Sequence, residues 1–64
     1  MNTDTQVEII YPSGFWWKHT MSEIGYTEGM TEEELNAKIA DFINSDDFET
    51  RYISETNELK VYPE

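Results

Sequence analysis

The chain has no cysteine, one histidine, two prolines, three glycines and only four basic residues. Each shortage excludes something. Without cysteine there is no disulfide staple, no thiolate zinc site and no thiol nucleophile. His19 alone cannot build a histidine metal cage. Four bases stand against fourteen acids, a net charge of −10. Phosphate backbones are gripped by Lys and Arg, so no direct nucleic-acid binding is expected. The longest apolar runs, Ile9-Ile10-Tyr11 and Phe15-Trp16-Trp17, fall far short of a membrane span. Met1-Asn2-Thr3-Asp4 lacks the basic and apolar regions of a signal peptide. So acidic a surface is also repelled by anionic lipid. A cytoplasmic protein with no membrane partner is the expectation.

What is there reads as one folded domain, 1–64. A domain this small buries about 60% of its unfolded surface, which leaves little room for an internal active site. Two Trp, four Tyr and three Phe are too many aromatics for a disordered acidic tail. Residues 1–6 are polar and read as loose. Val7-Glu8-Ile9-Ile10-Tyr11 reads as a strand and Pro12-Ser13-Gly14 as a turn. Residues 15–24 are open to two readings. Phe15 to Thr20 suits a second strand closing a hairpin. Alternatively Ser13 caps a helix with Trp17, Met21 and Ile24 on one stripe and Gly25 at its end.

The clearest element begins at Thr31. Thr31-Glu32-Glu33-Glu34 is a capping box, and Met30 and Leu35 stand at the hydrophobic-staple positions. Leu35, Ile39, Phe42 and Ile43 share a helical face, and Glu34 and Lys38 are spaced for an ion pair. This predicts a helix from Glu32 to about Asn44. Two further runs, Phe48 to Ser54 and Glu58 to Tyr62, flank an Asn-containing turn and predict a hairpin. Leu59 and Val61 face one way in the last strand, Lys60 and Tyr62 the other, and Pro63 stops it. The fold class is α+β, a small ββαββ sheet with one helix packed on one face. In its order of elements this resembles the β-grasp, protein G-type arrangement; order alone does not give function.

The acids are uneven. Residues 1–30 hold four acids and one base, residues 31–50 seven and one, and residues 51–64 three and two. Glu32, Glu33 and Glu34 sit in the first helical turn, where the helix dipole favours each carboxylate by about 0.3–1 kcal/mol. Asp46 and Asp47 sit past the helix C-terminus, where the dipole gives no such reason. Turn chemistry after Asn44-Ser45 is the other account of them. Asn44, Asp46, Asp47 and Glu49 do not match a calcium loop, which needs Gly at its sixth position and Glu at its twelfth. No metal and no cofactor are expected.

Nor does a catalytic kit stand out. There is no G-x-S-x-G around Ser13 and no phosphate-cradling glycine loop. His19 has no identifiable nucleophile with an orienting third group. A general acid needs a pKa raised by burial, which exposed carboxylates lack. The chain is read as non-enzymatic.

The aromatics carry more information. On a strand, Phe15 and Trp17 share one face and Trp16 and Lys18 the other. Trp17 is assigned to the core; Trp16 is left between core and contact patch. Trp16, Tyr11 and Tyr26 are the candidate apolar anchors, because Trp and Tyr dominate binding hot spots. Asp46, Asp47 and Glu49 are the leading charged contacts, followed by Asp41, Glu32, Glu33 and Glu34.

In length, acidity and absence of catalytic residues the chain resembles the small acidic inhibitors that phages encode against host enzymes. Uracil-DNA glycosylase inhibitors, restriction inhibitors and anti-CRISPR proteins are examples. The resemblance covers the whole chain, carries no motif, and so transfers no residue role. It implies an inhibitor of a basic host or defence protein that handles DNA or RNA, with acids imitating phosphates. The alternative is an interaction module or small regulatory subunit that binds through an aromatic patch, its acids serving solubility. An antitoxin-like neutraliser of a basic toxin shares the physics of the first. Monomer and homodimer both remain open, since an exposed strand edge can pair two copies.

Overall fold

The computed structural model describes residues 1–64. Four strands and two helices follow in order. They are β1 (Gln6–Ile10), β2 (Trp16–Thr20), α1 (Met21–Ile24), α2 (Glu32–Ile43), β3 (Phe48–Ile53) and β4 (Glu58–Pro63). The sheet runs β2-β1-β4-β3. Both hairpins are antiparallel, and the central pair, β1 and β4, is parallel. This is the α+β arrangement with ββαββ order that the sequence predicts, with α2 as its main helix.

Alternation sets the two faces of the sheet. Val7 and Ile9 on β1 and Leu59 and Val61 on β4 point to the helix side and are buried. Leu35 and Ile39 meet them from α2, and Met21 and Ile24 close one end from α1. Tyr11, Tyr26, Ile43 and Phe48 pack around this cluster, half-buried. The opposite face of the sheet carries no second layer.

Both readings of residues 15–24 are partly realised. β2 runs to Thr20, and Thr20 then caps a single helical turn. Its hydroxyl accepts from the Glu23 N–H, and the Glu23 carboxylate accepts from the Thr20 N–H. The cap is therefore Thr20 rather than Ser13. Gly25 ends the turn at φ 103°, a left-handed conformation that costs glycine little.

α2 follows prediction at both ends. Thr31 and Glu34 form the reciprocal cap, and Asn44 closes the helix in the left-handed region at φ 58°. The Glu34–Lys38 ion pair does not form. Glu34 is held by Thr31 instead, with its carboxylate accepting from the Thr31 N–H at 3.1 Å and hydroxyl at 3.0 Å. The Lys38 stem lies along Gly25.

The N-terminal segment is less loose than its composition implies. Residues 1–4 are exposed, but Thr5 is fully buried. Its hydroxyl donates to Asn57 Oδ1 at 2.8 Å, and the Tyr52 hydroxyl donates to the same oxygen at 3.1 Å. Asn57, left-handed at φ 51° in the β3–β4 turn, thereby ties the first strand to the last hairpin. The anchored chain begins at Thr5 rather than after residue 6.

Candidate binding surface

Trp17 is not in the core. It lies on the helix side of the sheet, opposite Ile9, yet is 56% exposed. The reason is width. A four-strand sheet spans about 19 Å at about 4.8 Å per strand, while one helix covers about 10–12 Å. α2 covers the central strands and leaves the inner faces of both edges at the rim. Trp17 and Phe15 fall on the β2 rim, and Tyr52 on the β3 rim.

The rim residues beside β2 form a continuous row of rings. Tyr11 and Phe15 are 5.9 Å apart, Phe15 and Trp17 6.2 Å and stacked, and Trp17 and His19 6.2 Å. His19 then meets Phe42 of α2 edge-on at 4.7 Å. Phe15, Trp17 and Phe42 are all exposed, while Tyr11 and His19 are half-buried. His19 Nδ1 and Glu23 Oε2 are 3.2 Å apart. That contact with His19, then the Thr20 backbone, holds the Glu23 carboxyl below its ordinary value.

The proposed apolar anchors do not form one patch. Trp16 is 57% exposed but sits on the open face of the sheet, paired across the strands with Ile10. Tyr11 heads the aromatic row. Tyr26 packs on the core.

The acids are also divided. Glu32, Glu33 and Glu34 stand at the start of α2, Asp41 in its last turn, and Asp46 and Asp47 beyond its end. The twelve residues of α2 run about 18 Å from Glu32 to the end beyond which Asp46 and Asp47 lie. Glu49 points to the open face of the sheet with Tyr62. The Asp46 and Asp47 side chains take no part in the turn. It is the Ser45 hydroxyl that accepts from the Asp47 N–H, at 3.2 Å.

Charge is partitioned by the sheet. The open face carries Glu8, Glu49 and Glu58 with Lys18, Arg51 and Lys60, three acids and three bases. Lys18 Nζ lies 3.8 Å from Glu8 and 4.0 Å from Glu58, and Lys60 Nζ lies 3.6 Å from Glu8. Arg51 sits over the Tyr62 ring at 5.8 Å. Of fourteen acids and four bases in all, eleven acids and Lys38 remain for the helix layer, the loops and the chain ends. The whole net charge of −10 is therefore borne off the neutral face.

The surface has no concave pocket and no cluster of three or more metal-ligating side chains. No helix is long and apolar enough to cross a membrane. Comparison with protein-family models, curated proteins and solved structures finds no match for the chain.

The α2 cap makes one pH prediction. The Thr31 backbone N–H, then its hydroxyl, stabilises the charged Glu34 carboxylate and lowers its pKa from 4.5. A group depressed on folding adds stability above its unfolded pKa, and that stability is lost as pH falls through the folded value. Glu34→Ala is therefore expected to lower the urea midpoint at pH 7. The gap to wild type should close as pH drops below 4.5. A gap of constant size down to pH 2 would show that the cap does not act through the ionised carboxylate.

Proposed function

We propose that the chain is a non-enzymatic acidic binding protein that occupies and blocks a basic surface on a partner protein. The class of partner is a nucleic-acid-processing or defence protein, which places the encounter in the cytoplasm. The charge partition carries this reading. Every base but Lys38 is spent on the open sheet face, so the remaining surface is attractive to cations over a long range. Such a field raises association rates about 10–10³-fold and steers orientation.

Phosphate imitation enters this reading in a reduced form. DNA carries a charge about every 1.7 Å, whereas the acids at the two ends of α2 form poles about 18 Å apart. The poles suit two separated basic spots rather than a groove that tracks a backbone.

The second reading, an interaction module or small regulatory subunit, is favoured by the exposed rings of Phe15, Trp17 and Phe42. Salt separates the two. The tagged protein is incubated with nuclease-treated bacterial lysate at low and at high salt, and bound proteins are identified. A basic nucleic-acid enzyme released by salt and displaced by added duplex DNA is the expected outcome. A partner retained through high salt and indifferent to DNA would sink the acidic reading in favour of the module.

A further inference from the structure

β2 is an edge of the sheet, and its hydrogen-bonding pattern shows which groups it leaves open. The Tyr11 N–H donates to the Phe15 carbonyl at 2.8 Å, and the Met21 N–H to the Thr5 carbonyl at 3.1 Å. In an antiparallel pair such bonded positions alternate. Phe15, Trp17 and His19 therefore turn their backbone groups toward β1, and Trp16 and Lys18 turn theirs outward. Thr20 turns outward as well, but its N–H is taken by Glu23. The free N–H and C=O groups of Trp16 and Lys18 are a short template for one more strand.

Edges of this kind are ordinarily guarded, most often by lysine. Lys18 does not guard this one. Its ammonium leans across the open face toward Glu8 and Glu58, away from the edge. The exposed rings of Phe15 and Trp17 stand on the helix side of the same edge, with Phe42 beyond them. None of these three rings is covered by a cation of the chain, whose one ring–cation contact is Arg51 on Tyr62. Glu23, 3.2 Å from His19, adds a carboxylate at the flank.

We infer that the β2 edge docks an extended cationic segment of a partner protein, which adds as a fifth strand. The inference rests on the proposed basic partner and names the surface that meets it. Main-chain bonds to Trp16 and Lys18 hold the segment. Alternate side chains of a strand recur about every 6.8 Å, close to the 6.2 Å between the Phe15 and Trp17 rings. An Arg-x-Arg sequence thus lays one guanidinium against each ring, in the environment that the net charge of −10 favours. A second copy of this chain fits less well, because it brings −10 against −10 and no cation for the rings.

The test uses an eight-residue peptide of alternating Arg and Thr, titrated into the full ¹⁵N-labelled protein. One control carries N-methyl groups on alternate amides, keeping the charge and blocking strand addition. A second replaces Arg with Gln, keeping the strand and removing the charge. The parent peptide is expected to bind about tenfold tighter than either control and to protect the Trp16 and Lys18 amides from exchange. Phe15→Ala with Trp17→Ala should weaken it about tenfold. Tyr52→Ala, on the opposite edge of the sheet, should change it little. Both rings are exposed, and circular dichroism checks the fold of each variant.

Equal binding of the N-methylated peptide, or of the Gln peptide, overturns the docking surface. So does an absence of binding, or protection of both amides in concentrated protein without peptide, which would assign the edge to self-pairing. Any of these leaves the acidic reading standing, since that one fails separately, in the salt and DNA assays with whole partner.

Discussion

Ile39→Ala is expected to remove about half of the stability of this protein. Ile39 sits at the middle of α2, is fully buried, and joins the cluster of Val7, Ile9, Leu59 and Val61. Truncating such a residue costs about 2–5 kcal/mol, the transfer of the lost methyl groups plus the cavity left behind. A chain of 64 residues holds about 3–10 kcal/mol in total. With eight buried apolar residues in the core, little remains to close over the hole. Trp17→Ala removes far more atoms yet is expected to cost only about 1 kcal/mol, because Trp17 is 56% exposed. Urea unfolding followed by circular dichroism should therefore rank a loss at isoleucine above a loss at tryptophan. The reverse order would mean that the aromatic row, not the sheet–helix cluster, is the centre of the fold.

That ranking is not readable from composition. In so small a chain every large side chain looks needed for the core, and none is larger than Trp17. What displaces it is its place at the rim: α2 reaches β2 through Phe42, which meets His19 and leaves Trp17 uncovered. α2 itself was legible, because capping box, apolar spacing and C-terminal Asn44 agree on one answer. Residues 15–24 were harder, since strand and helix signals overlap. The signal that separates them is Thr20-Met21-Ser22-Glu23, the same Thr-x-x-Glu spacing that opens α2. It marks the strand's end and the helix's start at one residue.

The candidate surface was legible as a set of residues and not as an arrangement. Alternation alone puts Trp16 and Trp17 on opposite faces, as the structure has them. Seven acids fall over residues 31–50, but a 12-residue helix runs through that stretch and parts them. The neutral face needed the register. Glu8 meets Lys18 across the β1–β2 hairpin, but it meets Lys60 only because β4 lies parallel to β1, a pairing that joins opposite ends of the sequence.

The two acidic poles give the second large effect. Asp46→Lys with Asp47→Lys changes the net charge by four units, from −10 to −6. The variant should fold at least as well as wild type, because lysines are favoured near a helix C-terminus. Glu32→Lys with Glu33→Lys makes the same change at the other pole, at a helix-dipole cost of about 0.3–1 kcal/mol per residue. At about 0.01 M salt the Debye length is about 30 Å, longer than the separation of the poles. A basic partner then senses the total charge, and both variants should lose about 10–100-fold in association rate. At about 0.15 M salt the length shrinks to about 8 Å, and each pole is felt only where it touches. One variant should then stay impaired while the other recovers, and the impaired one marks the pole in contact. Stopped-flow association rates with the captured partner would read this directly. Recovery of both variants at about 0.15 M salt would reduce the acids to a general field. Loss in Trp17→Ala alone, without salt dependence, would move the whole of binding to the aromatic row.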